Sequence, residues 1–444
     1  MARRARREGT FYGWYVALAL FFSIFLSVGL RQGYGVFVST WQDDFSVSVA
    51  TVSIAAAVGW LMNGLSQPIF GRITDVMGGR GVILVSLLVM GGGSVAMAAV
   101  PNVYVLIGLY GFIISFATGG VSFTPAGVIV ARWFRRKRGV AISLLTTGGS
   151  AGGLVLVPFA AYLLAFSNWR MAWLVMGLLI LGLAVPLIAL VVRSDPAEMG
   201  LQPDGDDAPA EGDVQSGPPA GPLDAKRWRD SLSSPPIWQL SVAYVVCGVT
   251  TASIAVHFVR WAESESISPG TAAIAFGVLS GINGLSVVAV GLLSDRMPRR
   301  VLLGSVYFIR AFAFLALVFL PGQAALWSFA IIGGMSWLAT VPLTTALAAD
   351  VYGVRHLGVL AGFINMAHQM GGAAAVYLFG LVFDRYNTYD PAYLAGAALL
   401  VLAAITALSI KERKYSARYA PVSAPAIAQA GSAGASTTGD SGGP

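Results

Sequence analysis

Apolar residues along this chain fall into twelve long runs, each broader than the one-sided stripe of a surface helix. Bounded by charges, Pro and Gly, the runs predict helices over 13–38, 49–70, 81–100, 103–131, 139–165, 170–193, 236–259, 270–293, 301–320, 324–349, 358–382 and 392–410. At 1.5 Å per residue, runs of about 20 residues or more cross a hydrocarbon core about 30 Å thick, with some tilt. Residues 81–131 and 139–169 contain no Asp, Glu, Lys or Arg. A soluble domain cannot wrap charge-free stretches of that length, so they predict an all-α integral membrane protein. The first apolar run is too long for the core of a cleaved leader, so basic Met1–Thr10 reads as a flank of the first span.

Composition sharpens this picture. Of 444 residues, 56% are hydrophobic and 11% charged, against about 25% charged in a soluble domain. That excludes a soluble enzyme, a secreted disulfide scaffold and a nucleic-acid-binding domain. The single Cys247 allows no internal disulfide and no cysteine metal site. No Walker sequence or metal-ligand cluster is present, so the reading is of a protein that is no enzyme, uses no cofactor and is not driven by ATP.

The formal net charge is +7, which raises the question of a nucleic-acid partner. Placing the N-terminus in the cytoplasm puts 23 of the 28 Lys and Arg on inside segments, against three (Arg170, Arg260, Arg385) outside. The remaining two, Arg31 and Arg310, lie within spans. This is the positive-inside pattern, so the basicity reports topology, and a nucleic-acid partner is not expected. The expected setting is the plasma (bacterial inner) membrane, multi-pass, with both termini cytoplasmic. The expected partners are the lipid bilayer and a small solute, handled by a monomer.

Between Ser194 and Pro235 the composition turns to Asp, Pro and Gly, as in a solvated cytoplasmic linker. It divides the chain into an N-terminal six-helix bundle (1–193), the linker (194–235) and a C-terminal six-helix bundle (236–415). The Ala/Gly/Ser/Pro-rich tail (416–444) reads as disordered. The halves repeat each other. Gly71-Arg-Ile-Thr-Asp75-Val-Met-Gly78-Gly-Arg80 follows the second span, and Gly291-Leu-Leu-Ser-Asp295-Arg-Met-Pro-Arg-Arg300 follows the eighth, with Asp and Arg offset by 220 positions. Gly139-Val140 and Gly358-Val359 echo each other at an offset of 219. Such a repeat predicts two parallel six-helix halves related by an axis along the membrane normal.

These residues resemble the major facilitator superfamily of transporters. Gly71, Asp75, Gly78 and Arg80 match every fixed position of its loop signature G-x-x-x-D-x-x-G-x-R/K, while the second copy has Pro298 in place of the second Gly. The resemblance implies a latch between halves built from Gly71, Asp75, Gly78, Arg80, Asp295 and Arg300. Phe11-Tyr12-Gly13-Trp14-Tyr15 and Arg132-Trp133-Phe134-Arg135-Arg136-Lys137-Arg138-Gly139-Val140-Ala141 resemble the monocarboxylate transporter and oxalate–formate antiporter branch. That implies a small organic carboxylate as substrate, often with a proton. Asn283-Gly-Leu-Ser-Val287 departs from the branch, because monocarboxylate carriers place an Asp and an Arg in this span.

Ionisable groups within spans cost several kcal/mol and are functional candidates by default. All 21 acidic residues fall in loops, span ends or termini, whereas Arg31, Arg310 and His368 lie inside spans. A cavity with fixed positive charge and no acid suits an anion. Arg31 shares a helix face with Ser27, Tyr34 and Gly35 and can clamp a carboxylate through its guanidinium fork, or snorkel to the interface. Asn365, His368, Gln369 and Gly372 form one polar stripe near mid-membrane. The resemblance puts His368 where the oxalate–formate antiporter carries a substrate-binding Lys. A histidine there can bind an anion and take up a proton, or stay a neutral core residue.

Arg310 either contacts the ligand or bonds carbonyls between helices. His257, near Arg260 and Glu263, is either a proton-coupling residue at an outer gate or an interface residue. Among the aromatics Tyr34, Trp60, Tyr110, Tyr307, Trp337 and Tyr377, the candidates for cavity walls are Tyr34 and Trp337. Gly148–Gly153 reads as close helix packing. The expected function is alternating-access transport of a small organic anion, of the monocarboxylate class by resemblance and coupled to protons. An exporter of neutral or lipophilic compounds and a non-transporting sensor are the alternatives.

Overall fold

The computed structural model describes residues 11–134, 138–203, 221–294, 296–353, 356–416 and 419. The side chain of Asp75, residue Asp295, residues 204–220 of the linker and nearly all of the 417–444 tail lie outside the described residues. All described regular structure is helical. The first half contains α1 (Gly13–Phe45), α2 (Val49–Met77), α3 (Gly79–Ala99), α4 (Val103–Val130), α5 (Arg138–Phe166) and α6 (Trp169–Val191). The second contains α7 (Pro235–Ser264), α8 (Pro269–Ser294), α9 (Arg299–Phe319), α10 (Gly322–Gly334), α11 (Thr340–Tyr352), α12 (Leu357–Tyr386) and α13 (Asp390–Ser409). Eleven of these helices are long and apolar enough to cross a membrane.

The tenth predicted span is not continuous. It is made of α10 and α11, 13 residues each, and a helix of that length reaches only about 20 Å. The break falls at 335–339, directly after Gly333-Gly334, where low helix propensity meets polar side chains from neighbouring helices. Elsewhere the predicted spans match in order, with shifted ends. The Gly71–Met77 stretch, expected as a turn, continues α2, and the chain reverses only at Gly78, whose φ of 87° suits glycine.

The start of α1 and the end of α13 define one face of the bundle, the terminal face; Asp44, Arg170, Glu263 and Asp384 lie at the other, the distal face. The halves meet along α2 against α12, α5 against α8, and α1 against α7. The internal repeat recurs in the contacts: Arg80 donates from Nη2 to the Ala189 carbonyl (2.6 Å), and Arg300 from Nη1 to the Leu408 carbonyl (3.0 Å). Each arginine thus neutralises the carbonyl end of the last span of its own half. Residues 221–234 of the linker lie against α11 through Leu223 N–H to the Val351 carbonyl (2.9 Å) and Ser234 Oγ to the Tyr352 hydroxyl (2.6 Å).

Candidate functional site

Arg31 stands in the last turn of the regular part of α1, just before the 3-10 turn Gly33–Phe37. Its guanidinium carbon lies 4.5 Å from the centroid of the Trp60 ring on α2. Trp60 in turn meets His368 of α12 at 5.9 Å, and His368 meets Tyr244 of α7 at 4.8 Å. The column Arg31–Trp60–His368–Tyr244 therefore crosses from one half to the other. Two glycines make it possible. A Cβ on Gly372 would stand 2.8 Å from the Trp60 ring, and a Cβ on Gly248 only 1.8 Å from the His368 carbonyl oxygen.

His368 pairs its Nε2 with Thr251 Oγ1 at 3.3 Å, while its buried Nδ1 has no hydrogen-bond partner. Arg31 has no carboxylate at ion-pair distance among the described residues, whose pairs are Arg170–Asp44, Arg227–Asp230, Arg260–Glu263 and Arg299–Asp350. A narrow crevice inside the first half is lined by Arg31 together with Leu30, Met90, Tyr110 and Thr118. A guanidinium held by an aromatic face, with no anion beside it, retains donors for an incoming one.

Beside this column the halves are joined by four amides at i, i+4 spacing on antiparallel helices. Gln369 Nε2 donates to Asn63 Oδ1, and Asn365 Nδ2 donates to Gln67 Oε1. Asn63 also accepts from Gln67 Nε2 (3.0 Å) and donates to Thr118 Oγ1 (2.7 Å). The Oε1 of Gln369 is buried without a partner. Of the predicted polar stripe, Gln369 and Asn365 thus bond the other half, while His368 bonds Thr251 of its own half and packs on Trp60 of the other.

The other candidates lie elsewhere. Tyr34 is buried in the first half, donating its hydroxyl to the Val52 carbonyl (2.8 Å) and packing on Tyr110 and Trp41. Trp337 packs among Phe276 and Phe329 in the second half. Arg310, 0% exposed, bonds Cys247 Sγ and Thr250 Oγ1 (3.3 Å each) and the Ser336 and Trp337 carbonyls. His257 is fully engaged: Nε2 donates to the Val376 carbonyl (2.8 Å), leaving Nδ1 to accept from the Tyr389 hydroxyl (3.1 Å). That pattern fits a neutral imidazole tying α7 to α12 rather than a proton carrier. Arg80 and Arg300 bond within their own halves.

At the distal face the halves are in direct contact. Asp384, at the end of α12, accepts the backbone N–H groups of Val49 (3.1 Å) and Ala50 (3.0 Å) at the start of α2. Ser39 donates its hydroxyl to Glu263. Gly35 lies so close to α7 that a Cβ would stand 2.6 Å from the Ala255 carbonyl oxygen. None of Trp60, Asn63, Gln67, Tyr244 or Asp384 was among the sequence-derived site residues. The polar pair Asn63 and Gln67, four apart in an apolar span, carried the available signal.

Two helical halves that repeat each other and meet along α2 and α12, where Trp60 faces His368, have the architecture of a membrane carrier. The chain belongs to the Major Facilitator Superfamily, whose sequence profile matches residues 20–376, and like its relatives it is a transporter, not an enzyme. It is 26% identical to an uncharacterized MFS-type transporter, YcxA, of Bacillus subtilis, over 85% of this chain and 90% of that protein. It is 23% identical to monocarboxylate transporter 13 of Bos taurus (90% of each chain). It is 24% identical to the oxalate:formate antiporter of Oxalobacter formigenes (79% of each). Among solved structures, a bacterial homolog of the human lysosomal transporter Spinster, in an inward-facing and occupied conformation, superposes with a TM-score of 0.65 at 16% identity, over 92% of this chain and 97% of that one. That likeness concerns the fold.

Proposed function

We propose that this transporter carries a small organic anion of the monocarboxylate class by alternating access, with a proton taken up at His368. The observation that carries this reading is Arg31: a cation inside the membrane, braced on Trp60, with no carboxylate partner among the described residues. A carboxylate arriving there gains charge-assisted hydrogen bonds in a low dielectric. The unpartnered His368 Nδ1 offers a second group on the opposite half, across the Trp60 ring from Arg31. The names of the monocarboxylate and oxalate:formate relatives support the substrate class. In this reading the Lys/Arg bias sets the terminal face in the cytoplasm of the plasma membrane, the carrier works as a monomer, and Asp75 latches that face in the outward-open state.

The deciding experiment is counterflow in proteoliposomes with labelled small monocarboxylates and labelled neutral solutes of similar size. Saturable exchange of a carboxylate, lost in Arg31→Ala, supports the proposal. Exchange of neutral solutes alone would sink it and favour the neutral-compound exporter.

A further inference from the structure

The break in the tenth span leaves backbone groups that must find partners in a membrane interior. In an unbroken helix the Trp337 carbonyl would accept from Val341 N–H, but Val341 donates to Leu338 instead (3.0 Å). Leu338 N–H turns to Asn283 Oδ1 (2.8 Å), and the Met335 carbonyl accepts from the Ser286 hydroxyl. The two carbonyls at the centre of the break, Ser336 and Trp337, both point at Nη2 of Arg310. Nη1 of the same guanidinium takes Thr250 Oγ1 and Cys247 Sγ on α7, and the Trp337 ring lies 5.7 Å from its central carbon. No Asp or Glu lies in mid-span, and among the described residues the groups facing this buried charge are carbonyl and hydroxyl oxygens, the Cys247 sulfur and the Trp337 ring.

Unwound carbonyls converging with a hydroxyl on one cation form the arrangement that holds coupling ions in carriers with broken helices. We propose that Arg310 is a covalently attached substitute for such an ion, a positioning residue whose guanidinium holds the tenth span broken at Ser336–Trp337 and makes transport independent of a bound alkali cation. The break is also tied to the other half, because Asn283 donates from Nδ2 to Ser150 Oγ on α5 (3.0 Å). Arg310 thus fixes one side of a hinge whose other side follows the interface between halves.

Two arms test this in proteoliposomes. In the first, uptake by the unaltered protein is measured with external Na+ replaced by K+ or choline; unchanged rates are expected, and a requirement for Na+ overturns the proposal. In the second, Arg310→Met removes the guanidinium while keeping much of the volume. Exposing two carbonyls and a hydroxyl is expected to lower uptake about tenfold or more, and added guanidinium or methylguanidinium, or a small alkali ion, is expected to restore it. Tetramethylammonium, too large for the site, is not. Parent-like uptake by Arg310→Met overturns the proposal, as does a folded variant that no small cation restores. If Arg310→Met cannot be recovered folded, the ion-replacement arm decides, together with Arg310→Lys, which keeps a cation able to reach one carbonyl and is expected to retain partial, Na+-independent uptake; a Lys variant that gains a Na+ requirement or transports like the parent overturns the assignment.

Discussion

The Arg31 guanidinium lies 4.5 Å above the Trp60 ring, and that one contact decides how the cation can be tested. The aromatic face stabilises the charge by about 2 kcal/mol in a desolvated setting without using its hydrogen-bond donors. Arg31→Lys keeps the charge and loses the planar fork, so carboxylate affinity is expected to fall about tenfold. Arg31→Ala is expected to abolish anion binding. Trp60→Leu keeps an apolar wall but frees the guanidinium, giving weaker affinity with some transport retained. Isothermal titration of each purified variant with the carboxylate found in counterflow checks the series; Arg31→Ala binding as tightly as the parent would make the residue structural.

Asp384 closes the distal face by accepting the first two amides of α2 from across the interface. A carboxylate at a helix N-terminus is worth about 0.3–1 kcal/mol at an exposed position such as this one. Asp384→Asn keeps the shape and removes the charge, so conformers open at the distal face are expected to become about 2- to 5-fold more populated. A cysteine introduced at Ser53, buried against Gly380 across the interface, with buried Cys247 as the only other thiol, reports this through its alkylation rate. Equal rates with and without the Asp384 charge would remove its closing role.

What could be read from the chain depended on whether the signal was local. The spans were legible because length and apolarity suffice to place a helix in lipid, and Arg31 and His368 because an ionisable group in a span is conspicuous by residue type alone. The break at 335–339 was not, since Arg310, Asn283 and Ser286 create it from two other helices. Trp60 was passed over because aromatics inside spans are mostly packing residues; only its position between Arg31 and His368 distinguishes it. Arg80 and Arg300 belonged to a motif associated with latching the halves, yet each bonds the end of its own half's last span.

Gly248 carries the closest helix approach at the site, where an added Cβ would stand 1.8 Å from the His368 carbonyl oxygen and 2.7 Å from its carbon. Both obstructing atoms are backbone, so Gly248→Ala has to push α7 away from α12. Alanine gains about 1 kcal/mol of helix propensity, but overpacking costs about 1–3 kcal/mol and moves His368 away from Trp60. A lower melting temperature in detergent and slower uptake are expected. A variant that melts above the parent and transports normally would show that the two helices have room to give.

Proton coupling is the most exposed expectation. No carboxylate lies in mid-span, so a coupling proton has to travel on a histidine or on the substrate. His257 is occupied at both ring nitrogens, by Val376 and Tyr389, and His356 lies at the terminal face with Nε2 against the Lys226 carbonyl. His368 remains, with Nδ1 free of partners beside the column that ends on Arg31. Protonation there adds a second positive charge facing the anion site. Anion and proton then strengthen each other's binding, and by reciprocity the loss of the proton on the more alkaline side weakens the hold on the anion. Acidifying the outside should accelerate uptake by the parent. His368→Gln keeps a polar side chain that cannot titrate, so exchange at equal pH should persist while acceleration by an inward proton gradient disappears. Gradient-driven uptake in His368→Gln equal to that of the parent would move the proton to another group or to the substrate itself.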